Sequence, residues 1–464
     1  MPSSRTPSTY RRRGSTLLLT MIFLALFTTL GLSFTAATDM NFRQANSYRS
    51  AAEAQLAAES GADFMLTILN GLVMPAEEVE ADLLGTVYQY LAADLDGTAT
   101  LDGDTVTYDG VTIRVPTVAL GPANRTFRAE IDADALGQLR LTVVGTTRNA
   151  QRAVRMLLDG AYTTSPVFNF GIASKGRIVI GGNGGVFGVN HASEAAVLSA
   201  TYTTPEAIYV EGQCTIDGDL YTSNPDSYVT VEGSPSIGGT TDNTEIGDHI
   251  HIGVGKPVFP EMDTSTYDAL ATNSLSSATT TVDGDLLLEN VRIPAGTNPT
   301  FSGNVKIQGV LFIEQPNSVS FEGNAEITGT VATEDPGDWA FDTNSIAFSG
   351  DVASYGVEML PEEPQFETLR TMTGSMMVAP GFSVTMSGNY SSISGAIGCD
   401  KFTLSGSAGG RISGLVICYG DTELGVSGSG YLEIDRSTSN GGIPAGFKLP
   451  YKLVAVQGTY AEPK

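Results

Sequence analysis

Apolar and polar positions fall into three successive patterns along the chain. From Ser15 to Thr38 no charge interrupts a run of Leu, Ile, Phe, Met, Ala and Thr, and the first carboxylate is Asp39. About 20 such residues cross a bilayer as a helix. Arg11, Arg12 and Arg13 ahead of the run would then stay on the cytoplasmic side. From Asn41 to Asn70 the pattern turns mixed, yet Ala51-Ala52-Glu53-Ala54-Gln55-Leu56-Ala57-Ala58-Glu59 are strong helix formers, and no proline lies between Pro7 and Pro75. One helix is predicted over 15–73, on the order of 80 Å long, membrane-spanning in its first half, 15–37.

Period two takes over next. Runs such as Val111-Thr112-Ile113-Arg114-Val115, Phe127-Arg128-Ala129-Glu130-Ile131 and Leu139-Arg140-Leu141-Thr142-Val143 alternate and are bounded by Gly, Asp and Asn. They read as antiparallel strands. With a short helix after Pro75, they predict a small α+β piece over 74–160.

From Val167 a third pattern recurs: apolar-x-Gly-x-x-x-[Ile/Val/Leu]-x-[Gly/Asn]. Its strict copies carry Ile180, Val210 with Ile216, Val231 with Ile237, Leu288, Phe301 with Ile307, and Phe321 with Ile327. Clean spacings are about 20 residues, which points to stacked coils with glycine or asparagine at corners that need left-handed backbone. The expectation for 161–464 is an all-β right-handed β-helix, or solenoid, with those residues as its repeating core. A sandwich of antiparallel hairpins is the alternative. Two stretches break the period, 256–281 and 357–374. Insertions in a solenoid emerge as loops, so these are the expected functional surface.

Composition adds exclusions. A net charge of −26, with 25 Lys and Arg against 51 Asp and Glu, argues against a nucleic-acid partner. Three cysteines are too few for a disulfide scaffold. Cys399 and Cys418 lie one coil apart and are expected to stack as buried thiols; Cys214 has no evident partner.

Catalytic groups are sparse. Phosphate-binding loops, nucleophile elbows and zinc-protease helices are missing from the sequence, and no cofactor is expected. His249 and His251 flank Ile250 and would share one face of a strand, a start for a metal site, but a plain surface strand is the preferred reading. Asp94, Asp96, Asp102 and Asp104 offer oxygen ligands of the kind calcium takes, though Asp-Gly pairs are ordinary turn formers. Asp217, Asp219, Asp283 and Asp285 sit in Asp-Gly-Asp turns and read as solvated corners. Neither a catalytic nor a metal site is assigned.

The residues alone leave the N-terminus open between a secretory signal, with small residues near Thr35-Ala36-Ala37, a leader cut before the apolar helix, and a plain anchor. The continued helix favours the second. Arg13-Gly14-Ser15 with its apolar run, then Ala51-Ala52-Glu53-Ala54 and Ala57-Ala58-Glu59-Ser60-Gly61, resemble type IV pilin-like proteins, specifically minor pilins with a PilX-type N-terminus. The resemblance covers about the first 65 residues. It implies a leader over 1–14, cleavage between Gly14 and Ser15, and methylation at Ser15. It implies helix packing in a pilus or pseudopilus core through Leu17, Leu18, Leu19, Ile22, Phe23, Leu24, Leu26, Phe27 and Leu30, and a pilin-like head over 74–160.

One departure stands out. Most pilins carry glutamate where this chain has Leu19. A carboxylate there would pair with a neighbour's terminal amine, and an unpaired charge in an apolar core is costly. The expected function is therefore a non-enzymatic minor subunit at a filament tip, with an assembly or adhesion role. Its expected partners are other pilin or pseudopilin subunits, the inner membrane before assembly, and surface carbohydrate or another cell afterwards. The expected location is single-pass in the inner membrane, then pilus or cell surface. The alternatives are a tethered or secreted β-helix that acts on or binds polysaccharide, and a bactofilin-like scaffold.

Overall fold

The computed structural model describes residues 15–74, 76–121, 125–134, 137–163, 165–276, 281–337, 340–437 and 443–462. The chain forms two compact units, residues 1–161 with 452–464, and residues 162–451.

In the first unit a single helix, α1 (Ser15–Gly71), runs for 57 residues, about 85 Å at 1.5 Å per residue. Its second half buries Ala54, Ala57, Ala58, Ala62, Met65 and Leu69, spaced three or four apart so that they share a stripe. The stripe packs on an antiparallel sheet in the order β1 (Thr107–Tyr108), β2 (Thr112–Ala119), β3 (Thr126–Ala133), β4 (Leu139–Thr146), β5 (Gln151–Tyr162). Small residues let the backbones approach. A Cβ on Gly145 of β4 would lie 2.2 Å from the Ala54 carbonyl oxygen and 2.3 Å from the Ala58 nitrogen. The second helix, α2, spans Ala76–Leu95.

The sheet has a sixth strand, Tyr451–Ala455, beside β5. Val456 N–H donates to Leu157 O and Ala461 N–H to Arg155 O, each at 2.9 Å. The expected repeat domain runs over 161–464. The C-terminus instead returns to the first unit, because the edge of β5 offers backbone partners that a five-residue run cannot announce.

The second unit is built of parallel strands on three faces. Along the first face the pairing runs Ile250–Ile252, Leu220–Thr222, Val197–Ser199, Ile172–Ser174, then Val416–Cys418, Ala396–Leu404, Ser375–Met386, Ala325–Thr333, Val305–Ile313, Leu286–Ile293. Residue numbers fall steadily, jump once in the middle, and fall again. The second and third faces repeat the jump, pairing Leu424–Val426 with Ile178–Ile180 and Tyr431–Ile434 with Gly185–Gly188. Coils 172–252 therefore climb away from the centre, residues 253–272 cross to the opposite end, where Asn273–Ser274 and Thr281–Val282 already pair with the stack, and the coils from 286 on climb back to dock on the first coil. The entry and exit of this unit are neighbours: Tyr162 and Tyr451 meet edge-on at 5.5 Å.

Candidate functional site

The first half of α1 is the most unusual surface in the first unit. Leu17, Leu18, Leu19, Ile22, Phe23, Leu24, Leu26, Phe27 and Leu30 are between 51 and 73% exposed, with Leu19 at 58%. The hydroxyls interspersed among them are satisfied within the helix. Thr28 donates to Leu24 O at 2.6 Å, Ser33 to Thr29 O at 2.8 Å and Thr35 to Gly31 O at 2.8 Å. An apolar helix with its polar groups internally bonded suits a bilayer or an apolar protein core. By length and composition this helix is able to cross a membrane. Ser15 is its first residue, while Gly14 lies outside the described residues.

The repeat residues form ladders. Ile180, Val210 and Val231 are register partners on the second face. Ile216 pairs with Ile237, and Leu288, Ile307 and Ile327 align on the third face. Phe301, Phe321 and Phe348 stack with centroids 5.0 and 4.8 Å apart. All are buried except Val231, which is half-buried near one end of the stack. The corner glycines stack too: a Cβ on Gly323 would stand 2.1 Å from Gly303 O, and one on Gly350 2.1 Å from Gly323 O.

The two period-breaking stretches do not emerge as free loops. Tyr267 from the first, and Val357, Leu360, Phe366 and Leu369 from the second, are buried in a cluster with Val310, Phe312, Ala332, Val378 and Ile417 of the first face. That face is thus covered on both sides. The signal lay in the strands themselves: Val310-Leu311-Phe312-Ile313 is wholly buried and does not alternate, as expected of a strand covered on both faces.

The third face stays open. A groove of about 930 Å³ runs along it. One wall is a row of exposed side chains one coil apart, Asp285, Asn304, Asn324, Asp351 and Asn389, each following a glycine of the corner ladder. Asn304 donates to Asp285 at 2.8 Å and Asn324 to Asn304 at 3.0 Å. The floor carries Leu287, Ala353, Ser391 and an ion pair, Lys306–Glu326, at 2.8 Å. The ring of Tyr431 lies over Gly409, where a Cβ would come within 2.2 Å of it.

His249 and His251 do more than share a strand. His249 belongs to a short turn, His251 to the following strand, and both rings reach Asp219, at 2.7 and 3.0 Å. Tyr221 stacks on His251 at 4.6 Å. Burial opposes ionisation of Asp219, but hydrogen bonds from His251 and His249 outweigh it and hold the carboxyl below its usual range. Asp219 is therefore not the solvated corner expected of its turn; the histidines are about 30 residues away, and only the stacking of coils brings them to it. Three other turn carboxylates also accept hydrogen bonds, two of them from a neighbouring coil: Asp217 from Gly188 N–H at 3.1 Å, Asp283 from the Ser302 hydroxyl, and Asp96 from Val106 N–H at 2.8 Å. Among the described residues no three His, Cys, Asp or Glu side chains are grouped to hold a metal.

Cys399 and Cys418 are register partners, buried and free, with sulfurs 3.9 Å apart. Cys214 Sγ lies 3.9 Å from Ile180 O.

No family model matches the chain, and no curated protein matches it. Among solved structures it is similar to the competence-associated pilin ComZ from Thermus thermophilus, at 13% identity over 89% of this chain and 97% of that chain, with a TM-score of 0.21.

Proposed function

We propose that this chain is a non-enzymatic, pilin-like minor subunit of a type IV pilus or pseudopilus that displays residues 162–451 as a right-handed β-solenoid. The observation that carries the reading is the division of α1. One half is apolar, exposed and internally hydrogen-bonded, and the other is fastened to a sheet. A tether to be discarded has no use for the second half. In this reading the chain sits in the inner membrane as a single-pass protein until Gly14–Ser15 is cut and Ser15 methylated. The apolar half then exchanges lipid for neighbouring subunits, and the chain moves to the pilus or cell surface.

The right hand of the solenoid follows from the general preference of parallel crossovers. Leu19 supports a tip or rare position with an assembly or adhesion role, since without a carboxylate the subunit cannot neutralise the amine of the next one.

Mass spectrometry of the mature N-terminus tests this. A peptide beginning at methylated Ser15 is expected, and one beginning at Thr38 overturns the reading. For the tip position, Leu19→Glu is expected to alter the abundance of the subunit in sheared filaments; an unchanged abundance removes that part.

A further inference from the structure

We propose that the groove on the third face binds a neutral, extended polysaccharide chain lying along the stacking axis. The inference deepens the display reading and rests on residues 162–451 being presented outward, but its chemistry stands on the groove alone. From Asp285 to Asn389 the wall offers an amide or carboxylate at every coil, and strands in a sheet repeat at about 4.8 Å. Such a row supplies hydrogen-bond donors and acceptors at a constant interval along a line, which suits a polymer of hydroxyl-rich rings better than a compact ligand.

Tyr431 closes one end with an exposed ring that lies against Gly409 and meets Phe187 edge-on at 6.4 Å. Its backbone carbonyl accepts the Tyr390 hydroxyl at 2.8 Å, which fixes the strand carrying it. An apolar ring face with a polar edge suits the C–H face of a sugar.

Charge and backbone exclude other occupants. Lys306 is matched by Glu326, so Asp285 and Asp351 leave the groove acidic; phosphate- or uronate-bearing polymers are repelled. Strand addition by a peptide requires a free edge, whereas here backbone groups pair from coil to coil, as in Val305 N–H to Asn324 O and Ala325 N–H to Asp351 O.

The test uses the purified full chain in detergent and immobilised neutral hexasaccharides of β-1,4-glucose, β-1,4-mannose and β-1,3-glucose, with hexagalacturonate as the anionic counterpart. At least one neutral hexamer is expected to bind and hexagalacturonate is not. Tyr431→Ala is expected to weaken binding by roughly tenfold, and the double variant Asn304→Ala/Asn324→Ala by a similar factor. Tyr228→Ala, an exposed tyrosine on another face, is expected to leave it unchanged. Circular dichroism and melting establish that each variant is folded. The proposal is overturned if no neutral hexamer binds, if hexagalacturonate binds as well, or if folded Tyr431→Ala and Asn304→Ala/Asn324→Ala bind like the parent. Binding is measured apart from assembly, so a mature chain starting at Thr38 would remove the pilin reading without touching this one.

Discussion

The first and third faces of the parallel stack are made by the same strands and have opposite fates. In Val305–Ile313 the chain contributes Lys306 and Gln308 to the open face, then bends at Gly309 and contributes Val310, Leu311, Phe312 and Ile313 to the covered one. At the bend Gly309 has φ +93°, and a Cβ there would lie 2.0 Å from Asn290 Oδ1. Asn290 is itself left-handed at φ 45° and accepts from Val310 N–H at 3.0 Å. The corner allows one strand to be amphipathic on one side of it and apolar throughout on the other. Stability should therefore reside mainly in the covered face, and the open face should be free to vary for binding.

That division can be broken from the covered side first. Phe366→Ala removes a fully buried ring seated against the Gly309 corner, and a loss of about 3–5 kcal/mol is expected by chemical denaturation. A change under 1 kcal/mol would show that the covering layer is not structural. The glycine ladder at the other corner of the open face comes next. Gly323→Ala places a methyl 2.1 Å from Gly303 O, and since backbone must shift, a cost of about 1–3 kcal/mol is expected in the same assay.

Asp219 sharpens the comparison at lower energy. Its folded carboxyl sits below the usual range, so its contribution is complete above the unfolded value of about 3.9 and is lost as pH falls through the folded value. Asp219→Asn should flatten the acid limb of a stability-against-pH curve. With the side chain 33% exposed, the effect should not exceed about 1 kcal/mol. An acid limb identical to the parent's would remove the carboxylate from the account. The smallest effect belongs to the open face: Lys306→Ala breaks an exposed pair and is expected to cost roughly 0–1 kcal/mol.

Cysteine reactivity sets the same contrast in chemical terms. Burial pushes the Cys399 thiol well above its usual range, and the thiolate is the reactive form. A maleimide reagent is expected to leave Cys399 unmodified in the folded chain and to label it in denaturant; rapid labelling of the native protein would mean that the stack opens locally.

Helix α1 shows a parallel contrast in the first unit. The sequence pattern marked its length through the missing prolines and the alanine-rich second half. Which residues of that half would be buried depended on Gly145 and Phe127, more than 60 residues downstream.

The features legible along the chain were local. The charge-free run after Ser15, the continuous helix beyond it, the alternating strands of the first unit and the glycine-marked repeat with its inward Ile, Val, Leu and Phe are consequences of spacing and composition, which neighbours along the chain decide. The tertiary structure alone decided everything that depends on which coil lies next to which. The order of the stack reverses nothing in the repeat, so the jump from Val416–Cys418 to Ile172–Ser174 left no trace in its period. The pairing of Asp219 with His249 and His251, the return of Tyr451–Ala455 to the first sheet, and the burial of Phe366 over the first face each join residues whose contact is made by stacking. A periodic pattern specifies the coil; only the packed fold specifies the neighbours.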